Sequence, residues 1–314
     1  MSATPDGESL LAPRNLGAFL LVSLIWGSTW LVIRDQISSV PPSWSIAYRF
    51  AVAAAGMFLL TRLRGEPFRL APGGWPFVLV LGVLQFSLNF SFVYRAEGYV
   101  TSGLVAVIFA LLVVPNAVFG RIYLGQPIRR EFVIGSGIAA VGVAMLFAQE
   151  YRASPATLGE VLTGAALCVG GILSASIANI VQATEGAKRQ PLLTLLAWSM
   201  LCGMAIIATF ALLSEGLPQF DPRPAYGLGI LYLGLVGSVV TFPLYFGLVR
   251  KVGAGKAAYS SVVVPVVAMI LSTLFEGFVW GPLPIAGAVV TLIGMVVAMR
   301  TRSAAPPRRA TPEP

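Results

Sequence analysis

Residues 94–124 read YRAEGYVTSGLVAVIFALLVVPNAVFGRIYL and are followed by Gly125. A short polar break leads into a Thr-Ser-Gly step, an apolar run that contains a proline, and a closing glycine. The same order of features returns 152 positions later, and the offset continues into the next apolar segment. Four glycine pairs share it: Gly103 with Gly255, Gly125 with Gly277, Gly135 with Gly287, and Gly142 with Gly294. Because self-similarity at a fixed spacing marks a duplicated unit, the chain is predicted to contain two copies of one unit.

The composition is that of a membrane protein. Of the 314 residues, 57% are hydrophobic and 11% are charged, whereas a soluble domain carries about 25% charged residues. The apolar residues form blocks long enough for a helix to cross about 30 Å of hydrocarbon. Ten such segments are predicted, at residues 15–33, 43–61, 75–94, 100–120, 131–149, 158–182, 191–213, 226–248, 256–275 and 282–300.

The distribution of positive charge predicts how these segments are oriented. The net charge is +8, and sixteen of the 21 Lys and Arg residues fall on one set of alternate loops while four fall on the other. Since Lys and Arg collect on cytoplasmic loops, both termini are predicted to be cytoplasmic in a bacterial inner membrane. The charge therefore indicates topology rather than nucleic-acid binding.

The repeat and the topology together predict an all-α polytopic membrane protein, with ten transmembrane helices as two inverted five-helix repeats. Five helices per copy is an odd number, so the second copy must lie upside down, as in alternating-access carriers. The predicted units are a cytoplasmic tail at 1–14, a first repeat at 15–149, a second repeat at 158–300, and a disordered Pro-rich tail at 303–314.

Missing residue types exclude several functions. The chain has no histidine, and Cys168 and Cys202 both fall inside apolar segments, so no metal site, cofactor or redox pair is predicted. Asp and Glu are absent from the middle of the apolar segments, which argues against an intramembrane enzyme and against export of organic cations.

Arg49 is the one charged residue placed inside a predicted helix. It either reaches outward to pair with a loop carboxylate such as Asp35, or faces a cavity and holds a substrate carboxylate. Four polar residues in other segments either form helix–helix hydrogen bonds or line a substrate path, namely Gln85, Asn89, Ser174 and Asn179.

Six aromatic residues lie away from the segment ends or flank a break, and they are predicted to pack between helices or to wall a substrate cavity: Trp26, Trp30, Tyr94, Tyr99, Tyr245 and Tyr259. Pro115, Pro243 and Pro265 lie inside helices, where each frees a backbone carbonyl, and they are candidate hinges.

Several motifs resemble the drug/metabolite transporter superfamily in its ten-helix EamA-type branch. The first segment carries Leu-Ile-Trp-Gly-Ser-Thr-Trp at Leu24–Trp30, the second carries Tyr48-Arg49-Phe50, and the fourth carries Thr101-Ser102-Gly103 with a closing Leu124-Gly125. The fifth and tenth segments share a glycine pattern that ends at Gly142 and Gly294. This chain departs from the family pattern in the fourth segment, which has Val113 at the family's proline position and a proline at 115 instead.

The resemblance implies a secondary transporter with a central cavity between helices 1, 3, 4, 6, 8 and 9. Small neutral metabolites, above all aromatic or other apolar amino acids, are the predicted cargo, because a zwitterion needs no strong net charge in its site. A nucleotide-sugar, sugar-phosphate or drug carrier of the same superfamily is the alternative, and a channel is a further one. The expected partners are a small-molecule substrate and the lipid bilayer, with the chain either a monomer or a homodimer.

Overall fold

The computed structural model describes residues 12–128, 130–153, 157–252, 257, 260–275, 277 and 280–299. Tyr259 and the predicted tail at 303–314 lie outside these residues. The described chain is almost entirely helical, with a one-turn helix at Glu185–Lys188 between two of ten longer helices. These are α1 (Pro13–Gln36), α2 (Pro42–Leu63), α3 (Trp75–Ala96), α4 (Ser102–Leu124), α5 (Arg130–Ala153), α6 (Leu158–Ala183), α7 (Leu192–Ser214), α8 (Pro224–Val252), α9 (Ser260–Phe275) and α10 (Pro282–Met299).

Seven helices in the described part of the chain, α1–α4 and α6–α8, are long and apolar enough to cross a membrane. The other three are α5, which has 24 residues, and the shorter apolar helices α9 and α10. The predicted fold class, an all-α membrane protein of ten helices in two repeats, is confirmed. We call the side where α1 begins the N-terminal face and the side where α1 ends the opposite face.

Helix pairing follows a pseudo-twofold relation in which each helix of the first repeat exchanges with the helix five places later. The contact α1–α9 has its counterpart in α6–α4, and α1–α8 has its counterpart in α6–α3. The contact α2–α8 likewise has its counterpart in α7–α3, and the pairs α2–α7, α4–α9 and α5–α10 each join a helix to its own equivalent. A set of contacts that survives this exchange is what two inverted copies of one unit produce.

Hydrogen bonds at the two ends of the α2–α7 pair repeat the same relation. On the opposite face, the Tyr48 hydroxyl of α2 donates to the carbonyl of Gln219 in the loop after α7, at 2.8 Å. On the N-terminal face, Trp198 Nε1 of α7 donates to the carbonyl of Phe68 in the loop after α2, at 3.1 Å. The two donors lie 150 positions apart and the two acceptors 151 positions apart, so equivalent residues make equivalent bonds at opposite ends of the molecule.

Three helices depart from α geometry near the middle of the molecule. The segments Gly82–Leu88 of α3 and Tyr232–Val240 of α8 are π-helical, and Ala110–Leu112 of α4 is a 3₁₀ turn. Pro115 and Pro243 lie just after two of these segments and have no N–H to offer the carbonyl four residues earlier, which loosens the helix there. Pro265 lies inside α9. The hinge role of the three prolines stays a prediction.

Helices α5 and α10 pack backbone against backbone. A Cβ added at Gly135 would lie 2.1 Å from the backbone nitrogen of Ala298, and one added at Gly142 would lie 2.4 Å from that of Thr291. Glycine is therefore required at both positions, since only a residue without a side chain permits this approach. The pair stands beside the other eight helices and places no residue in the central cavity described below.

Candidate functional site

A cavity of about 870 Å³, counting the space at its mouth, lies among α1, α2, α3, α4, α6, α8 and α9. Seven of the predicted substrate-binding residues line it: Trp26, Trp30, Arg49, Gln85, Asn89, Asn179 and Tyr245. Pro265, which was predicted as a hinge, also lines it.

Three predicted site residues are placed elsewhere. Tyr94 is fully buried, and its hydroxyl donates to Gln36 Oε1 at 3.1 Å, so it ties α3 to α1. Tyr99 is 41% exposed at the opposite face. Ser174 is buried in α6 and does not line the cavity.

Arg49 lies at the cavity wall with only 1% of its surface exposed. Asp35, its suggested loop partner, instead pairs with Arg223 at 3.3 Å. The described ion pairs give Arg49 no carboxylate within 4 Å. Its guanidinium bonds Ser238 Oγ at 3.3 Å and the Gly237 carbonyl at 3.5 Å, and stands 4.3 Å from the centre of the Phe90 ring. The Nη1 nitrogen has no hydrogen-bond partner.

The π-helical segment of α8 supplies the anchor that holds Arg49. The Gly237 carbonyl accepts from Arg49, from Trp26 Nε1 at 3.4 Å and from the Thr241 hydroxyl at 2.6 Å. A wide turn of this kind leaves carbonyls available to side chains, and π segments inside helices are frequent at functional sites. Ser238 and Gly237 were not predicted from the sequence, because nothing in their local pattern marks an irregular turn.

Helix α3 brings two amide groups to the same cavity. Gln85 lies in its π-helical segment, and Asn89 is the first residue after that segment. Both side chains are more than nine-tenths buried, and neither Gln85 Oε1 nor Asn89 Oδ1 has a hydrogen-bond partner. Buried carbonyl oxygens of this type are acceptors for a charged or neutral N–H donor.

Aromatic rings form the remaining walls. Trp26 lies 5.6 Å from Phe242 and 4.9 Å from Tyr245, measured between ring centres, and Trp30 lies 5.3 Å from Phe109. Phe109 and Phe242 were missed in the sequence analysis. Phe242 could have been found from its spacing, since it lies three residues before Tyr245 and therefore on the same helix face.

A second group of polar side chains lies toward the N-terminal face. Asn179 Nδ2 of α6 donates to Asn116 Oδ1 of α4 at 3.5 Å, and the Tyr245 hydroxyl of α8 lies within reach of the Asn179 amide. All three side chains are buried. Asn116 was overlooked because it follows Pro115 in an apolar run, where the proline was the more conspicuous signal.

The opposite face is tied together by polar contacts. Arg223 at the start of α8 reaches Asp35 and Ser39 near the end of α1, each at 3.3 Å. A hydrogen bond from Ser39 and the neighbouring Arg223 lower the pKa of Asp221, in the loop before α8, to about 2. Arg34 of α1 donates to the carbonyl of Glu97, a buried residue in the turn between α3 and α4 that the sequence analysis did not single out.

The model of the EamA-like transporter family matches residues 15–148 and 162–300. Protein PagO of Salmonella typhimurium is 26% identical over 290 residues, which cover 91% of this chain and 92% of that protein. The uncharacterized inner membrane transporter YedA of Escherichia coli is 28% identical over 267 residues, which cover 83% of this chain and 82% of that protein.

Two further matches bear on function and on fold. A probable amino-acid metabolite efflux pump of Salmonella typhimurium is 23% identical over 289 residues, covering 88% of this chain and 92% of that protein. A crystal structure with 18% sequence identity matches 90% of this chain and 96% of its own with a TM-score of 0.68, which shows a shared fold. With its ten-helix repeat architecture and a family match that spans both repeats, the chain belongs to the EamA-like transporter family of the drug/metabolite transporter superfamily.

Proposed function

We propose that this transporter exports small zwitterionic amino acids with aromatic or other apolar side chains, by alternating access across a bacterial inner membrane with both termini cytoplasmic. The observation that carries the proposal is the buried guanidinium of Arg49, whose Nη1 has no partner, in a cavity walled mainly by aromatic and aliphatic side chains. The relative named as a probable amino-acid metabolite efflux pump supports the same substrate class.

Arg49 is suited to a carboxylate. A buried cation with no carboxylate within 4 Å costs several kcal/mol. The contacts that hold it are three long hydrogen bonds to two neutral oxygens, two aromatic rings and the nearby Tyr94 hydroxyl, and they offset only part of this cost. A planar guanidinium can donate two parallel bonds to one carboxylate. A bound carboxylate would therefore both satisfy Nη1 and neutralise the charge.

Gln85 and Asn89 are suited to the ammonium group of the same substrate. Their side-chain oxygens are buried acceptors without partners, and they are neutral. A site with one cation and two neutral acceptors matches a zwitterion, in which one carboxylate and one ammonium lie on the same carbon. The rings of Trp26, Trp30 and Phe242 would then receive the apolar side chain.

The alternatives require features that the described lining does not offer. A phosphorylated sugar or nucleotide sugar needs several Lys or Arg groups, and Arg49 is the single cation among the lining residues that the structure describes. A cationic drug needs a carboxylate, and that same lining contains none. The inverted repeats favour a carrier over a channel.

Counter-transport in liposomes tests this function, with purified protein and unlabelled amino acid inside. We expect saturable uptake of labelled phenylalanine that is competed by neutral amino acids. Phenethylamine, which lacks the carboxylate, and 3-phenylpropionate, which lacks the ammonium, should both compete poorly. Uptake of a phosphorylated sugar with no amino-acid exchange would overturn the proposal.

Arg49→Gln should lower the apparent affinity for phenylalanine by roughly tenfold to a hundredfold, because a charge-assisted hydrogen bond contributes about 1.5–3 kcal/mol. Arg49→Lys should recover part of it, since the charge is kept while the bidentate geometry is lost. Arg62→Gln, at an exposed position in the last turn of the same helix, is the matched control and should transport normally. Unchanged affinity in Arg49→Gln would remove Arg49 from the site.

A further inference from the structure

We infer that the cavity has a second polar subsite, formed by Asn179 and Tyr245, which binds a hydrogen-bond donor at the far end of the substrate's side chain. The inference rests on the proposed function and narrows its substrate class. The preferred cargo would be an aromatic amino acid that carries a phenol O–H or an indole N–H, rather than phenylalanine.

The two residues line the cavity from two helices of the second repeat, α6 and α8, and both are more than nine-tenths buried. Asn116 fixes the orientation of the Asn179 amide, because its Oδ1 accepts from Asn179 Nδ2 at 3.5 Å. With the nitrogen engaged by Asn116 and near the Tyr245 hydroxyl, the Asn179 oxygen is left as the acceptor for a ligand. A ligand that brings a donor is therefore favoured over one that brings only an apolar edge.

The subsite lies at a suitable distance from the charged one. Arg49 bonds the Gly237 carbonyl, and Tyr245 follows eight residues later on the same helix, roughly two turns further toward the N-terminal face. The two subsites therefore lie at different depths of one cavity, as the two ends of an extended aromatic amino acid would require. The Trp26 ring lies along the cavity wall between the two subsites, because its Nε1 donates to the Gly237 carbonyl and its ring centre is 4.9 Å from that of Tyr245.

Hydrogen bonding between helices does not by itself explain why these polar side chains lie in the cavity wall. The Asn116–Asn179 contact joins α4 to α6, but it engages only the amide nitrogen of Asn179. Asn179 and Tyr245, in contrast, add polar atoms to a wall whose other members near them are Trp26, Phe242 and Phe246. An apolar pocket discriminates between ligands of equal size through a few polar atoms placed in its wall.

The test compares labelled tyrosine with labelled phenylalanine in the liposome exchange assay. In the unmodified protein we expect tyrosine to bind roughly threefold to tenfold more tightly, as one hydrogen bond contributes about 0.5–1.5 kcal/mol. Asn179→Leu and Tyr245→Phe should each bring the ratio of the two apparent affinities close to one. Tyr245→Phe removes a single oxygen and keeps the ring, so it guards against misfolding. Thr163→Val, at an exposed position on α6, is the control and should keep the ratio.

The outcomes separate this inference from the proposed function. Equal affinities in the unmodified protein, or a ratio that survives both substitutions, would overturn the subsite while phenylalanine exchange still supports the amino-acid carrier. Absence of exchange for every amino acid would overturn both.

Discussion

At the scale of single residues, one difference between the repeats gives the cavity its charge. A Cβ added at Gly234 of α8 would lie 3.1 Å from the carbonyl of Arg49, and one added at Gly82 of α3 would lie 3.2 Å from the carbonyl of Ser199. The two helix crossings are equivalent under the repeat relation, so Arg49 and Ser199 occupy the same place in the two copies. The duplicated backbone is thus symmetric, while the side chains that face the substrate are not.

Ser238→Ala tests how Arg49 is held. The substitution removes the hydroxyl that accepts from Arg49 Nε and Nη2 at 3.3 Å, and it should destabilise the protein by about 1.5–3 kcal/mol, the range for a hydrogen bond to a charged group. Because a bound carboxylate can replace the lost acceptor, the substrate should raise the melting temperature more in this variant than in the unmodified protein. Thermal unfolding in detergent measures both effects.

Ser199→Ala is the matched control for that measurement. Ser199 is fully buried, and its hydroxyl has no hydrogen-bond partner, so its loss should change neither the melting temperature nor the substrate's effect on it appreciably. Equal stabilisation by substrate in all three proteins would mean that Arg49 does not meet the ligand.

At the scale of elements, a closely packed helix pair outside the cavity contrasts with the helices that have irregular turns and line the cavity. Helices α5 and α10 are held by glycine contacts between backbones and contribute nothing to the cavity wall. Helices α3, α4 and α8 carry the π-helical and 3₁₀ segments, and all three contribute residues to it. Wide or tight turns in these three helices change which side chains face the cavity.

Gly135→Ala should destabilise the protein by about 3 kcal/mol or more, since the new methyl group would overlap backbone atoms of α10 that cannot move aside. Gly137→Ala is two residues away on the same helix, where an added Cβ meets nothing within 4 Å. It should be neutral or more stable by about 0.5–1 kcal/mol, because alanine favours a helix over glycine. Comparable melting temperatures for the two variants would contradict the close packing of α5 on α10.

At the scale of the whole molecule, the two faces differ. Helices α4 and α9 pack closely at the opposite face, where a Cβ at Gly103 would meet Met269 and Ser272. Toward the N-terminal face, Val113–Leu124 makes no comparable contact with the described part of α9. The cavity reaches that side through Asn179 and Ser260. Such an arrangement fits the proposed alternating access, as a state that is closed at the opposite face.

Arg223→Gln should loosen the contacts at the opposite face, because Arg223 joins the start of α8 to Asp35 at the end of α1 and to Ser39 in the turn that follows. A cysteine placed at Ile33, which lines the cavity, should then react faster with an impermeant thiol reagent added from the opposite face. Arg152→Gln, at an exposed position near the same face, should leave the rate unchanged. A native labelling rate in Arg223→Gln would show that these contacts do not keep the face closed.

The same contacts should be insensitive to pH across the physiological range. The pKa of Asp221 is lowered from its ordinary value of 3.8 to about 2 by the bond from Ser39 and by Arg223. A carboxyl group whose pKa falls on folding stabilises the folded state at pH values above its unfolded pKa. That stabilisation is lost as the pH drops through the folded pKa. The labelling rate at residue 33 should therefore stay constant from pH 8 to pH 5, and a marked rise within that range would implicate another titrating group.

The sequence by itself determined that the chain forms membrane helices, that it contains two copies of one unit, and that it resembles EamA-type transporters. Hydropathy, glycine spacing and short motifs are local properties of the sequence. Because the bilayer thickness sets the length of a spanning helix, the length of each apolar segment is enough to predict one. Only the tertiary structure decided which polar residues share a cavity. Arg49 meets Ser238 across 189 positions and Asn179 meets Asn116 across 63, through turns whose irregular geometry no local pattern announced. Which side chains meet in the cavity depends on how distant helices pack and where their turns widen, and those are properties of the folded molecule as a whole.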